Sequence, residues 1–156
     1  MSIGLAMMRI TIGLLLIGHG CQKLFGWFGG GGLEGTGPMF DKIGLRPGRI
    51  TGAVAGSLET TGGSLLVVGA LTPFAAAAIA TVMAGAFITV HRRNGLWNTN
   101  GGFEYPLVVA MVVLAMAFTG PGRFSIDHAL QLPLRGVVWG SLAIGLAALG
   151  ACSIIV

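Results

Sequence analysis

The sequence predicts an all-α membrane protein, a polytopic bundle of transmembrane helices in which residues 1–156 form one domain. Hydrophobic residues make up 54% of the 156 residues and charged residues only 9%, whereas a soluble domain carries roughly 25% charged residues. The 28 glycines and the near absence of alternating β-branched residues favour closely packed helices over a barrel. Most of the protein surface is therefore expected to face lipid.

Five apolar segments are candidates for helices that cross a bilayer core of about 30 Å. They cover about residues 3–22, 50–71, 73–90, 105–119 and 136–156. The first segment lacks an early basic region and a clean cleavage site, so we interpret it as a retained span rather than a signal peptide. Within the connection after it, residues 39–45 (MFDKIGL) predict either a short helix on the membrane surface or an irregular loop.

The distribution of basic residues predicts the orientation. Six of them lie in the loops 23–49 and 91–104, which five spans place on one side: Lys23, Lys42, Arg46, Arg49, Arg92 and Arg93. The other side has Arg123 and Arg135, with Arg9 near it. The positive-inside rule then puts both loops and the C-terminus in the cytoplasm and the N-terminus outside the inner membrane. The net charge of +4 thus reflects orientation rather than binding of nucleic acid.

The polar stretch 91–107 is the centre of the predicted site. It lies between two apolar segments and carries more functional groups than a turn requires, among them His91, Asn94, Asn100 and Glu104. At the end of the first segment, His19 and Lys23 are one helical turn apart and share a face. The predicted topology gathers these side chains at one membrane face.

Glu59 is expected to lie deeper in the membrane. It is spaced one turn from Gly56 and from Gly63, so it faces the same packed seam. A carboxyl group there is either protonated or paired with a cation. Ionisable groups within the membrane mark functional sites, although Glu59 is also compatible with a purely structural bond between helices. We predict that Glu59 is buried and coupled to Arg9, His19 and His91.

Together these observations define a candidate set for ligand binding or proton transfer. Its members are Arg9, His19, Lys23, Glu59, His91, Asn94, Asn100 and Glu104. No metal-binding pattern is expected, because the two cysteines form no metal or redox motif. Cys21 and Cys152 are predicted to lie near the cytoplasmic face as free thiols.

Four separated motifs occur in an order that resembles the DoxX family of small bacterial and archaeal membrane proteins. They are Arg9 with His19-Gly20-x-Gln22-Lys23-Leu24-x-Gly26; Glu59 with Gly62 and Gly63; His91, Asn94-Gly95 and Asn100-Gly101-Gly102-x-Glu104-Tyr105-Pro106-Leu107; and Gly120-Pro121-Gly122-Arg123-x-Ser125-x-Asp127. The resemblance covers about residues 5–127 and implies a four-helix membrane core. Residues 136–156 depart from that pattern as a fifth, C-terminal transmembrane segment.

The resemblance also implies a function, since the family is linked to thiosulfate:quinone oxidoreductase and to a membrane oxidoreductase complex with a superoxide dismutase and a sulfurtransferase. The expected function is an accessory subunit that anchors an electron-transfer or redox-defence complex, with membrane lipids and other subunits as partners. No flavin, haem or iron–sulfur motif is visible in the sequence, so no intrinsic cofactor is expected and a quinone is the candidate ligand.

Two alternatives remain open at the level of the sequence. One is a quinone-linked oxidoreductase subunit with its own activity, in which His19, Glu59 and His91 exchange protons. The other is a carrier that binds a small solute or a lipid. Whether the chain is itself an enzyme is left undecided by these residues.

Overall fold

A computed structural model describes residues 2–155, and these residues form an all-helical protein without β-strands. Residues 2–155 contain seven α-helices: α1 Ser2–Phe25, α2 Gly32–Lys42, α3 Gly48–Val68, α4 Thr72–Ala86, α5 Glu104–Thr119, α6 Ile126–Ala129 and α7 Val137–Ile155. A π-helical turn, Phe87–His91, and a 3₁₀ turn, Arg92–Asn94, extend α4. The predicted all-α class is confirmed.

Within the part of the chain that the structure describes, two helical stretches are long and apolar enough to cross a membrane, Ser2–Phe25 and Thr72–Asn94. Two shorter apolar helices accompany them, Glu104–Thr119 and Val137–Ser153. The helix α3 has 21 residues but carries glycine, threonine and Glu59 along its length. The arrangement as four spans plus a fifth therefore stays a prediction, and Val156, which was expected in the cytoplasm, lies outside the described residues.

Helices α1 and α3 run antiparallel, and glycines bring their backbones into direct contact. A Cβ atom on Gly13 would lie 2.6 Å from the carbonyl oxygen of Gly63. A Cβ atom on Gly20 would lie 2.6 Å from the carbonyl oxygen of Gly56. Since no side chain fits at these positions, the two contacts set how far one helix is shifted along the other. They place the last turn of α1 beside the middle of α3.

Alanine substitutions of two glycines in α1 should distinguish the effect of the α1–α3 contact on stability from the effect of intrinsic helix propensity. Gly20→Ala is expected to lower the free energy of unfolding by about 1–3 kcal/mol, because the new methyl group has to displace backbone of α3. A Cβ atom on Gly18 would have no neighbouring atom within 4 Å, so Gly18→Ala should be neutral or slightly stabilising. Unfolding of both variants in mixed micelles measures the difference. Equal stability of the two variants would contradict the close α1–α3 contact.

The connection between α1 and α3 folds back onto α3. The Asp41 carboxylate accepts a hydrogen bond of 2.8 Å from the backbone N–H of Gly48, and Gly37 packs against the backbone of Arg49. The side chains of Phe40 and Leu45 are buried. Of residues 39–45, the first four are helical and the rest form a turn, so the predicted short helix is confirmed in part, and its place on the membrane surface stays a prediction. The helix α2 is longer than predicted, because it begins at Gly32.

Helix α4 occupies the centre of the fold and packs against α3, α5 and α7. Its alanines permit this close packing, and Ala75 and Ala76 are fully buried. Helix α7 runs along α4, with the rings of Phe74 and Trp139 in edge-to-face contact at 5.9 Å and Gly150 against Thr81. The C-terminal apolar segment is therefore an integral part of the helix bundle.

The chain direction gives the bundle two ends. The polar-loop end contains the connections 26–47 and 92–103, and the Arg9 end contains the turn 69–71 and the segment 120–136. Both cysteines lie in helices as free thiols, Cys21 buried and Cys152 exposed. The two ends hold different polar clusters, which are described next.

Candidate functional site

Glu59 forms a buried ion pair with Lys23. Only 2% of the Glu59 surface is exposed, and the Lys23 Nζ donates to its Oε2 at 2.6 Å. The ion pair depends on the close contact between α1 and α3. Gly56, one helical turn before Glu59 on α3, has no side chain, so the last turn of α1 with Lys23 packs directly against it. A Cβ atom on Gly56 would lie 2.8 Å from the Leu24 Cγ and 3.2 Å from the Lys23 Cβ. The predicted burial of Glu59 between helices is confirmed.

A cavity of about 240 Å³ opens beside this ion pair. Its lining residues come from the end of α1, from α2 and the turn after it, and from α3 and α4: Lys23, Met39, Phe40, Ile43, Leu45, Ala55, Glu59, Val82, Met83, Gly85, Ala86, Thr89, Val90 and His91. Most of this wall is apolar, and the ionisable members are Lys23, Glu59 and His91. The cavity thus combines apolar walls with charged groups.

His19 and Tyr105 lie near the ion pair and do not line the cavity. The two rings are 5.8 Å apart between centroids, and both groups are close enough to Glu59 to interact with its charge. The Nδ1–H of His19 donates to the Gln22 side-chain oxygen at 3.2 Å, which leaves Nε2 available as an acceptor. Tyr105 was not among the predicted site residues, although it is the only tyrosine of the chain and lies within the polar stretch.

Most polar residues of the stretch 91–107 hold the loop itself together. The Nδ1–H of His91 donates to the carbonyl oxygen of Gly101 at 2.6 Å, and the Asn94 side chain donates to the same oxygen at 3.1 Å. The Glu104 carboxylate accepts from the backbone N–H of Asn98 at 3.0 Å. The backbone N–H of Asn100 donates to Trp97 within the same loop. Of these residues, His91 also reaches the cavity.

Arg9 lies at the opposite end of the bundle. Its side chain is 3% exposed and donates to the carbonyl oxygens of Leu66 and Val67 at the end of α3 and of Phe124 beyond α5. The predicted coupling of Arg9 to Glu59 is wrong. The last carbonyl groups of a helix lack partners within that helix, and the Arg9 side chain extends toward those at the end of α3. Lys23, near the opposite end of α1, is the cation that reaches Glu59.

Asp127 is a buried acidic residue of α6 that lies outside the predicted candidate set. Its carboxylate accepts from the backbone N–H groups of Leu71 and Thr72 at 2.7 and 3.0 Å and from the Thr72 hydroxyl at 2.6 Å. Ser125 caps α6, since its Oγ accepts from the His128 N–H. One feature of the sequence could have indicated this role of Asp127. The N-cap position of α4 is Leu71, whose side chain has no oxygen to accept from the first backbone N–H groups of the helix, so another residue has to supply the acceptor.

The sequence profile of the DoxX family matches residues 4–92, which is more than half of the chain. The chain belongs to the DoxX family of membrane proteins. The matched range contains every residue that lines the cavity, from Lys23 to His91, and it also contains Arg9. The DoxX match therefore covers the ion pair and the cavity, whereas Tyr105 and Asp127 lie beyond it.

Individual relatives of this DoxX protein span most of its length. An uncharacterized membrane protein of Mycobacterium tuberculosis is 25% identical over 134 residues, covering 79% of this chain and 78% of its own. An uncharacterized protein of Haemophilus influenzae is 29% identical over 131 residues, covering 80% of this chain and 88% of its own. No solved structure matches the chain.

Proposed function

We propose that this DoxX protein is an accessory membrane subunit of an electron-transfer or redox-defence complex, and that it binds a quinone in the cavity beside Lys23 and Glu59. The observation that supports this proposal is an apolar cavity that ends at one buried ion pair. In the proposal the chain anchors the complex in the membrane and holds the ligand, and a partner subunit supplies the electrons.

The chemistry of the cavity suits a quinone. A quinone ring is apolar on its faces and carries carbonyl oxygens that accept hydrogen bonds. The ammonium group of Lys23 has three N–H donors, of which one goes to Glu59, so donors remain for a carbonyl oxygen. The apolar side chains of Met39, Phe40 and Met83 line the rest of the cavity. They offer the ring a surface from which water is excluded.

The same residues support a role in proton transfer. Reduction of a quinone to a quinol takes up two electrons and two protons. Glu59 is a carboxyl group beside the cavity, and His91 has a free Nε2 because its Nδ1–H is bonded to Gly101. Each group is able to take up a proton from water and then pass it to the ligand, while a partner subunit delivers the electrons.

Quinone binding by the purified full-length protein tests the proposal. With decylubiquinone as the probe in isothermal titration, Lys23→Gln is expected to raise the dissociation constant about tenfold or more, because it removes a charged donor. Glu59→Gln should change the affinity less and should lower the rate of proton uptake during quinone reduction by a coupled partner.

Matched control variants are available on the solvent-exposed surface. Glu34 and Arg49 form an exposed ion pair at 2.8 Å, with side-chain exposures of 82% and 69%, and Lys42 is exposed. Glu34→Gln and Lys42→Gln repeat the same chemical changes at residues that do not line the cavity, and both variants should bind the quinone like the wild type. Unchanged affinity in Lys23→Gln, or absence of binding to the wild type, would refute the quinone site.

The accessory role is tested by purification of the tagged protein from native membranes, followed by mass spectrometry. Subunits with flavin, haem or iron–sulfur motifs should copurify with the wild type. Recovery of the chain without any redox protein would contradict the accessory role, and turnover of a quinol by the isolated chain would favour a subunit with its own activity.

A lipid-binding carrier is the second candidate. It is favoured by a second cavity of about 370 Å³ between α4, α5 and α7, whose wall is almost entirely apolar and includes Met83, Phe87 and Leu114. Met83 borders both cavities. Displacement of bound quinone by phospholipid in the same titration would favour the carrier.

The proposed orientation keeps five spans in the inner membrane. The loops 23–49 and 91–104 and the C-terminus are cytoplasmic in this proposal and the N-terminus is outside, because the basic residues of these loops outnumber those at the Arg9 end.

A further inference from the structure

A polar cavity of about 170 Å³ lies at the Arg9 end, far from the proposed quinone site. Residues from the start of α1, the end of α5 and the segment up to α7 line it, and Arg123, His128 and Arg135 are among them. Two depressions adjoin this cavity. Arg123 and His128 also line the first of them, and His128 and Arg135 also line the second. Three basic side chains therefore border one connected recess.

Positive charge in this recess is only partly compensated, because two arginines line it together with a single buried carboxylate, that of Asp127. Arg123 and Arg135 are exposed and form no ion pair among residues 2–155. Asp127 also lines the cavity, but it is 2% exposed and its carboxylate already accepts three hydrogen bonds from Leu71 and Thr72. The other four acidic residues belong to α2, the middle of α3 and the start of α5. The two arginines are thus free to bind an external anion.

One of these arginines is held in position by the fold. Gly120 has a positive φ of 82°, and a Cβ atom there would lie 3.3 Å from the Arg135 Cβ and 3.4 Å from its Cδ. The stem of Arg135 therefore packs over the glycine that ends α5. A guanidinium group whose stem is packed loses less conformational freedom when it binds a phosphate through two N–H groups.

Exposed apolar side chains accompany the basic residues along the chain, and one of them, Phe124, lines a depression together with Arg123 and His128. Phe124, Leu130 and Val137 are neighbours of the basic residues in sequence, and they are 63%, 64% and 74% exposed. A soluble anion such as inorganic phosphate gains nothing from these side chains. A phospholipid presents a phosphate group next to acyl chains, which matches two arginines beside exposed apolar side chains.

We propose that the recess formed by Arg123, His128 and Arg135 binds the phosphate group of an anionic phospholipid. This site is independent of the proposed quinone function, since no lining residue is shared between the two cavities. The lipid contacts the segments that join α5 to α7 and the start of α1. It thereby stabilises the end of the bundle at which three helices meet.

Thermal unfolding of the purified full-length protein in a neutral detergent tests the proposal. Dioleoyl phosphatidylglycerol is added as the anionic probe, dioleoyl phosphatidylcholine as the zwitterionic lipid and inorganic phosphate at equal ionic strength as the free anion. Phosphatidylglycerol should raise the Tm of the wild type, whereas phosphatidylcholine and phosphate should not. In Arg123→Gln/Arg135→Gln, the phosphatidylglycerol concentration that gives half of the Tm shift should rise about tenfold or more.

Two further variants make the outcome decisive. Arg92→Gln/Arg93→Gln removes the same charge at the polar-loop end and should respond to phosphatidylglycerol like the wild type. Arg123→Lys/Arg135→Lys keeps the charge but loses the paired N–H groups, so its response should lie between that of the wild type and that of Arg123→Gln/Arg135→Gln. A wild-type response in Arg123→Gln/Arg135→Gln would overturn the proposal, and so would an equal Tm shift with inorganic phosphate, because the ligand would then be a free anion.

Discussion

Replacing Lys23 by methionine is expected to destabilise the protein by about 3 kcal/mol or more, because the substitution leaves the Glu59 carboxylate buried without its cation. Glu59 is 2% exposed, and the Lys23 ammonium group at 2.6 Å is its hydrogen-bond partner among the described residues. Unfolding by sodium dodecyl sulfate in mixed micelles measures the loss. Wild-type stability of Lys23→Met would contradict the ion pair.

The double variant Lys23→Met/Glu59→Leu provides the thermodynamic control. It removes both charges and replaces them with apolar side chains, so its free energy of unfolding should return to within about 1 kcal/mol of the wild type. Glu59→Gln keeps an acceptor for Lys23 and should also fold. Quinone binding should remain weak in the double variant, because the donor is absent even though the protein is stable. This result would separate ligand binding from a purely structural bond between helices.

The second large effect is expected for Arg9→Met, which should lower the free energy of unfolding by about 3–5 kcal/mol. The arginine is 3% exposed and its guanidinium group donates to three backbone carbonyl groups, those of Leu66, Val67 and Phe124. Without these donors the carbonyl oxygens of Val67 and Phe124 lose this partner, whereas Leu66 still accepts from the backbone N–H of Gly69 at 3.1 Å. The substitution also removes a cation that interacts with the charge of Asp127.

Two variants define the specificity of this prediction. Arg9→Lys should recover less than half of the loss, because a single ammonium group does not reproduce the planar set of donors that joins the end of α3 to the segment after α5. Arg123→Met, at an exposed position of the same end, should change the stability by less than about 0.5 kcal/mol. The same unfolding assay compares all three, and a small effect of Arg9→Met would show that the carbonyl groups find other partners.

The membership of the site was only partly predictable from the sequence. The spacing of Glu59 from Gly56 and Gly63 predicted its burial, since residues one turn apart share a helix face. His19 and Lys23 were placed on one face in the same way, and both lie near Glu59. Tyr105 was missed because its place beside His19 depends on how the loop brings the start of α5 to the end of α1, and that approach leaves no periodic pattern in the sequence.

Composition and local pattern by themselves determined the helical class, the membrane setting and the motifs of the DoxX family, because these depend on the kinds of residue and on their spacing along one chain. The tertiary structure alone decided which cation pairs with Glu59. Arg9 and Lys23 both lie on α1, about 21 Å apart at the standard rise per residue, so the choice depends on how far α1 is shifted along α3. The contacts of Gly13 with Gly63 and of Gly20 with Gly56 set that shift. Close packing between helices is a property of two surfaces in three dimensions, and no periodicity within either helix specifies it.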